Sequence, residues 1–328
     1  MANARGDRAI WTMRRQADFT TAEAAGDGEY YKLPFYSINA AAAEELSPDD
    51  TLTGDALPPD AIPGLRSLSG DAEVPLGLAS LGWHLRGLFG APATTGAGDP
   101  YTHVFTAKAA PALAHHTACI THPQAAAGAG VHFHQTGITH TEFSLSARKD
   151  GQRARARFGL IGFSETKGGA ALDTTPVEFA DDPTPIGFQG VLFRGASQDA
   201  AVTAAEFRVA SGVTPDQETL NGLATPAGLD EGKWEVTGSL TARFRDAALY
   251  DAAEAGTLQN FELRYILSAS RSAVFRVHNA RLERTGIPIQ GGDVISATFN
   301  FRAGRPGSGD SPFTATLKNG VANYDNPA

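Results

Sequence analysis

Residues 237–257, TGSLTARFRDAALYDAAEAGT, change from the alternation of a β-strand to the three- and four-residue spacing of a helix without an intervening loop. Asp246 is a suitable N-cap for that helix, and Gly256 is a suitable stop. A similar stretch, SGDAEVPLGLASLGWHLRGLFGA, occupies residues 69–91. The sequence therefore predicts a strand followed directly by a short helix in both places.

The two stretches belong to a longer internal repeat. When Gly70 is placed on Gly238, Leu81 falls on Leu249 without a gap. Upstream, SPDDTLTG matches TPDQETLNG with one inserted residue, and downstream DGQRARARFGLIG matches GGDVISATFNFRA. Three matched blocks in the same order indicate tandem copies of one module. The expected division is an N-terminal arm (1–29), a first module (30–175), a linker (176–187), a second module (188–303) and a C-terminal arm (304–328).

Alternating apolar and polar segments dominate the rest of the chain and predict a mainly antiparallel β protein. Hairpin turns are indicated at KDGQ (149–152) and QGGD (290–293), and two short helices are predicted within 77–90 and 246–256. The predicted strands are 141–148, 154–163, 204–211, 234–244, 261–268, 273–283 and 293–301.

Composition and charge exclude several classes of protein. The 328 residues include 27 Lys and Arg against 36 Asp and Glu, a net charge of -9 that disfavours gripping nucleic acid. The single cysteine, Cys119, excludes an internal disulfide and a cysteine-based zinc cluster. The first 19 residues lack the apolar core of a secretory signal and no run approaches a membrane span, so we expect a protein made in the cytoplasm, without a membrane partner.

Histidines are the first candidate for chemistry. Seven of the nine lie between residues 103 and 140, and His132 and His134 would share one face of a strand, with His140 near enough to join them as a metal ligand. Cupin proteins use such an HxH pair. Their motif also needs an acidic residue three or four positions later, where this chain has Gly137 and Ile138. We therefore expect no bound metal and a polar hairpin facing solvent or a neighbouring molecule, with a cupin-like metalloprotein as the lesser alternative.

The arginines of RARAR are the second candidate. Arg153, Arg155 and Arg157 would lie on one strand face and Ala154 and Ala156 on the other. They could contact phosphate, pair with carboxylates across a boundary between subunits, or form a solvated sheet face. Because the chain is acidic, carboxylate partners fit better than DNA, and we regard the three arginines as candidate contacts between subunits.

Catalytic motifs are absent from the sequence. It contains no GxSxG, HExxH, EF-hand or GxxxxGK[ST] pattern. Neighbouring carboxylates such as Asp181 and Asp182 lie in loop-like contexts and are expected to be solvated. We expect neither a catalytic activity nor a cofactor.

The chain resembles the tail tube (major tail) proteins of long-tailed, non-contractile bacteriophages over about residues 30–303. LSGDAEVPLGLASLGWHLRGLFGAPATTGAGDPYTHVFTA and TEFSLSARKDGQRARARFGLIGFSET carry the resemblance in the first half. AAVTAAEFRVASGVTPDQETLNG and EVTGSLTARFRDAALYDAAEAGT carry it in the second. The resemblance implies two tandem β-sandwich or barrel-like modules, each with a short flanking α-helix.

The resemblance also implies a structural role in the virion tail. Modules would join side by side into rings with one continuous inner barrel, and the rings would stack into a tube that conducts DNA during ejection. Because one chain carries two modules, three chains would close a pseudo-sixfold ring. Expected partners are further copies of the chain, other tail proteins at the tube ends and DNA that passes without specific binding along a negatively charged lumen. The alternative is a β-sandwich receptor- or carbohydrate-binding phage module.

Overall fold

The computed structural model describes residues 5–52, 54, 56–57, 59–110, 113–123, 130–287, 289, 294–307 and 310–327. Within these residues the protein is mainly antiparallel β with two short α-helices, as the sequence predicts. All seven predicted strands and both helices are confirmed, and KDGQ joins two paired strands. The predicted QGGD turn lies outside the described residues. No described helix has the length and apolar character needed to cross a membrane.

The first half of the chain contains α1 (Leu81–Phe89) and eleven strands. These are β1 (Ile10–Gln16), β2 (Tyr31–Lys32), β3 (Ser37–Ile38), β4 (Ala41–Ser47), β5 (Ile62–Pro75), β6 (Ala93–Thr95), β7 (Tyr101–Thr106), β8 (His115–His122), β9 (Val131–Arg148), β10 (Arg155–Gly162) and β11 (Ser164–Gly168).

The second half contains α2 (Ala248–Glu254) and ten strands. These are β12 (Gly190–Arg194), β13 (Ser197–Gln198), β14 (Val202–Ala210), β15 (Thr214–Asp216), β16 (Gly228–Asp230), β17 (Glu235–Arg243), β18 (Gln259–Ile266), β19 (Ser272–Leu282), β20 (Ser296–Ala303) and β21 (Phe313–Asn319).

Eight strands form one continuous antiparallel sheet, which we call the long sheet. Its order is β4-β5-β10-β9-β14-β17-β20-β19, and β3 extends the line of β4 along β5. The pairing β5-β10-β9 of the first half recurs as β17-β20-β19 in the second. Gly70 lies opposite Leu160 in the first set, and Gly238 lies opposite Phe301 in the second.

One face of the long sheet is buried against a second layer. Alternate residues of its strands, including Phe143, Phe158, Phe207 and Phe299, are at most 3% exposed. The opposing layer includes α1, β7, β8, β18, β21 and the first half of β19, and Phe143 stacks there against Phe275 at 5.6 Å between ring centroids. Strand alternation therefore leaves the other face of the long sheet in solvent.

The two expected arms contain strands of the core instead. β1 pairs with β8 over seven residues and buries Trp11 and Met13. β21 lies between β7 and β19, and its Phe313, Ala315 and Leu317 are fully buried. β21 alternates apolar with polar residues and buries one face, whereas β1 is buried on both faces at Trp11, Thr12 and Met13. Both segments gain free energy by removing apolar surface from solvent when they join the core.

The expected linker packs against the first half. The Asp182 carboxylate accepts hydrogen bonds from the N–H groups of Ala79 and Ser80, at 2.7 and 3.0 Å, next to the start of α1. Asp181 pairs with Arg271 at 2.6 Å. The expectation of solvated charge therefore holds for Asp181, whose side chain is 60% exposed beside the Arg271 guanidinium. It is wrong for Asp182, which is partly buried at the positive end of α1.

Candidate assembly surface

Pairs of arginine and carboxylate cover the solvent face of the long sheet in its first half. Arg155 pairs with Glu73 at 3.0 Å, and Arg157 pairs with Asp71 at 2.8 Å, in each case between β10 and β5. The Arg157 guanidinium lowers the pKa of Asp71 by hydrogen bonding to the ionised carboxylate. These two arginines therefore find carboxylate partners within the same chain, because β5 and β10 are neighbours. Their role as contacts between subunits stays a prediction.

Arg153 lies apart from the other two arginines. It precedes β10, is exposed, and its backbone bridges to Ile186. It lines an open surface pocket of about 530 Å³ together with Arg155 and Arg157. The prediction of one shared strand face therefore holds for Arg155 and Arg157, which lie within β10. Arg153 lies before the strand and stays a predicted contact with another molecule.

The same pairing continues across the second half of the long sheet. Arg208 on β14 pairs with Glu142 on β9, and Arg302 on β20 pairs with Glu235 on β17 at 2.9 Å. Each pair joins adjacent strands, the arrangement that stabilises a sheet through cross-strand contacts. At these positions the solvent face is charge-balanced, in contrast to the net negative lining expected from the composition.

The two halves of the chain meet where β9 pairs with β14, which we call the internal junction. Seven residues, 142–148, lie opposite residues 210–204 in one register. Phe143, Leu145, Phe207 and Val209 are buried on its core side. The junction is therefore a complete strand pairing with a packed core below it.

The β4 end of the long sheet is a sheet edge. All seven residues of β4 are exposed, and among the described residues β4 forms a ladder only with β5. An exposed strand with unpaired N–H and C=O groups is a template for pairing with another chain.

The opposite end of the long sheet also has an edge, in the segment that follows β19. The Glu283 N–H donates to the Asn300 carbonyl at 2.8 Å, which continues the ladder with β20 beyond the end of β19. Arg284 pairs with Glu254 on α2 at 3.0 Å. The structure places no strand against the other side of residues 283–287 within its described part.

Large apolar side chains are exposed on two segments, the β4–β5 connection with its flanking strand ends and the β15–β16 connection. Leu52 is 97% exposed and Leu220 is 101% exposed. Further exposed residues on the same segments are Leu46, Ile62, Leu65 and Leu223. Clusters of exposed apolar residues mark surfaces that bind other proteins.

His132 and His134 lie on the same face of β9, as predicted, but they bond to different groups, and His140 lies apart from them. His132 bonds with the Thr121 hydroxyl at 2.9 Å, and His134 bonds with the Ala170 carbonyl at 2.8 Å. His140 is buried elsewhere in the core. Across the described residues no group of three or more His, Cys, Asp or Glu side chains is arranged to hold a metal ion.

His140 belongs to a buried cluster with His84 and His116. The His84 Nδ1 and His140 Nε2 atoms are 3.1 Å apart, and the rings of His116 and His140 are 5.3 Å apart. Burial lowers the pKa of His84 to about 3 and that of His116 to about 4, and holds the pKa of His140 well below its usual value. This cluster was not predicted from the sequence, because His84 lies on α1, outside the histidine-rich segment.

The tryptophans contribute to the core and to its border, not to an exposed aromatic platform. Trp11 and Trp83 are each 1% exposed. Trp234 stacks on Phe89 at 5.4 Å between ring centroids and donates its indole N–H to the Lys108 carbonyl. These positions give no support to carbohydrate binding through stacked tryptophans.

Comparison with known protein families gives a match over most of the chain. A family model described as "Phage tail tube protein" matches residues 6–303. No curated protein matches the chain.

Proposed function

Because the chain belongs to the phage tail tube protein family, we propose that three copies close a ring of pseudo-sixfold symmetry and that the rings stack into the tube of the virion tail. The family gives the protein a structural role in the tail tube. The trimeric ring, the stacking and the passage of DNA are the proposal.

The internal junction is the observation that carries the proposal. It joins two halves that use the same strand pairing, β5-β10-β9 and β17-β20-β19, into one sheet with an edge at each end. Because the two edges differ, contacts between chains are head-to-tail, and such contacts close into a ring when the rotation is suitable. Repetition of the sheet in three chains would satisfy both edges of each.

The solvent face of the long sheet would line the lumen. Its arginines are already paired with carboxylates, as in Arg157–Asp71 and Arg302–Glu235. Paired charges present DNA with little net attraction, so the duplex could move along the wall without being held. This lining replaces the negative lumen expected from composition.

The exposed apolar segments would join one ring to the next. Leu52 and Leu220 lie on connections that the sequence repeat matches, one in each half. Each trimeric ring would then present six such segments, and their burial against the adjacent ring would favour stacking.

Electron microscopy of the purified protein tests the proposal. Stacked hollow rings are the expected result, and the same preparation should not retard duplex DNA on a native gel at physiological salt. Monomers that persist at high protein concentration, or tight binding to DNA, would contradict it.

A further inference from the structure

The strand β4 occupies in the first half the place that β14 occupies in the second. β14 lies against β17 with Phe207 opposite Gly238. β3 and β4 pair with β5 one after the other and in the same register, which places Ala40 next to Gly70. Because Gly70 and Gly238 are the matched glycines of the repeat, Ala40 corresponds to Phe207. The outer side of β14 is paired with β9, whereas that of β4 has no strand against it in the described chain.

Residues 283–287 occupy in the second half the place that the end of β9 occupies in the first. Glu142 on β9 lies opposite Gly159 on β10. Glu283 bonds to Asn300 on β20, and the registers with β5 and β17 match Gly159 to Asn300. Glu283 therefore corresponds to Glu142. The end of β9 is a strand with partners on both sides, whereas residues 283–287 bond to β20 only through Glu283 and have no strand against their other side in the part of the chain that the structure describes.

We propose that the joint between neighbouring chains repeats the internal junction: β4 of one chain pairs antiparallel with residues 283–287 of the next, and the segment becomes a strand on assembly. The proposal rests on the ring proposed above and assigns its contact residues. The register of the internal junction, carried over, sets Ala43 opposite Glu283, Ala42 opposite Arg284 and Ala41 opposite Thr285. The joint ends there, because Ala40 is buried and its carbonyl accepts a hydrogen bond from the Gln135 side chain.

The direction of the Arg284 side chain agrees with this register. Arg284 corresponds to Phe143, whose side chain lies on the core side of the internal junction. The Arg284 side chain likewise turns to the helix side of the sheet, where it reaches Glu254 and the Tyr250 hydroxyl. The Arg284 side chain therefore already lies on the side of the sheet that the proposed pairing requires.

Hydrogen-bond alternation identifies the best pair for a crosslink. In the internal junction Ser211 donates to the Thr141 carbonyl, so Arg208 and Ser144 form a non-hydrogen-bonded pair. Their counterparts at the joint are Ala41 and Thr285. The Cα atoms of such a pair are about 4.5 Å apart, within the range of a disulfide.

The test is oxidation of the full-length Ala41→Cys/Thr285→Cys protein after assembly, followed by a non-reducing gel. We expect most of the chain to shift to covalent dimers and trimers that reducing agent returns to monomers. Ala41→Cys/Arg284→Cys is the matched control, because a one-residue slip puts the two thiols on opposite faces. Arg208→Cys/Ser144→Cys should close an internal disulfide without changing chain number. Cys119 is buried and can stay in place.

The outcomes separate this inference from the proposed function. The register is wrong if rings form but Ala41→Cys/Thr285→Cys gives no disulfide-linked multimers on the gel. It is also wrong if the one-residue-slipped control gives as many multimers. Either result leaves the proposed ring intact. If the parent protein forms no rings, the proposed function itself fails. Multimers only in the Ala41/Thr285 variant support the assigned joint.

Discussion

The buried histidine cluster makes the stability of this protein sensitive to mild acid. Burial keeps His84, His116 and His140 neutral in the folded state, with a pKa of about 3 for His84 and about 4 for His116. In the unfolded chain each imidazole has a pKa of about 6.5. As the pH falls, the three imidazoles are protonated in the unfolded state but stay neutral in the folded state. Their contribution to the free energy of unfolding is therefore fully present above about pH 7 and is lost as the pH drops below about 6.5.

The size of the effect follows from these values. At pH 5 each unfolded imidazole is stabilised by about 2 kcal/mol through protonation, so His84 and His116 together lower the free energy of unfolding by about 4 kcal/mol relative to pH 8. His140 adds to this loss in the same direction. Folded domains are stable by about 5–15 kcal/mol, and the loss is therefore large. Carboxylates contribute little in this window because they protonate mainly below about pH 5.

The geometry of the cluster explains why the three imidazoles are not protonated in the folded state. His84 Nδ1 and His140 Nε2 face each other at 3.1 Å, so only one of them can carry the shared hydrogen. The other ring nitrogens, His84 Nε2 and His140 Nδ1, are buried without a hydrogen-bond partner among the described residues. Arg15 and Arg86 lie near enough to His116 to oppose a further positive charge.

Guanidinium denaturation at pH 8, 6 and 5, followed by tryptophan fluorescence, measures the loss. The reference for each variant is its own stability at pH 8. His84→Leu should reduce the pH-dependent loss at pH 5 by about 2 kcal/mol, because one imidazole that burial keeps neutral is removed. His122→Gln removes an exposed histidine and should leave the loss unchanged. A stability at pH 5 within about 1 kcal/mol of that at pH 8 would refute the reasoning.

Three further predictions concern assembly and the C-terminal strand. Ala42→Pro should abolish rings in electron micrographs but leave the monomer folded by circular dichroism. Ala42 corresponds to Val209, whose N–H faces β9, so the N–H that proline removes would face the neighbouring chain. Ala43→Pro should instead disturb the ladder with β5, because the N–H of Ala43 faces β5. Phe313→Ala should cost about 3–5 kcal/mol in chemical denaturation, since a fully buried ring is removed; a loss below about 1 kcal/mol would show that β21 is dispensable. Leu52→Asp combined with Leu220→Asp should leave single rings and remove stacks in electron micrographs, whereas unchanged tubes would exclude these side chains from the ring-to-ring contact.

Local patterns in the sequence were sufficient to predict most of the sheet and both helices. The strand–helix stretches 69–91 and 237–257 carry alternation followed by helical spacing, and the structure has β5 with α1 and β17 with α2 there. The expectation that each helix follows its strand directly is wrong, because residues 76–80 and 244–247 form short connections between them. The matched glycines of the repeat occupy corresponding registers because each lies on the strand before a helix. Fold class is predictable in such cases because periodicity is a local property.

Some strands were hidden because their apolar pattern is short or interrupted. β9 begins at Val131 rather than near residue 141. Its first part is rich in polar side chains and includes Gly137, which has a φ of 73°. The alternation is therefore broken near the middle of the strand. β1 and β21 were missed because each is a single short strand in a segment near a chain end, and only long-range pairing shows that it joins the core.

The partners of individual side chains depend on how the strands pair and in which register, and this cannot be read from local sequence patterns. RARAR predicts the shared face of Arg155 and Arg157, but only the pairing of β10 with β5 identifies Glu73 and Asp71 as their carboxylates. The histidine cluster likewise depends on α1 packing against β9, which brings residues 56 positions apart into contact.

The number of chains in one ring tests the central claim most directly. Native mass spectrometry of single rings, together with averaged top views from electron microscopy, counts the chains and measures the symmetry. The account predicts three chains, six similar lobes around a hollow centre and true threefold symmetry. Six chains per ring, or exact sixfold symmetry, would contradict the claim that each chain supplies two of the ring's modules.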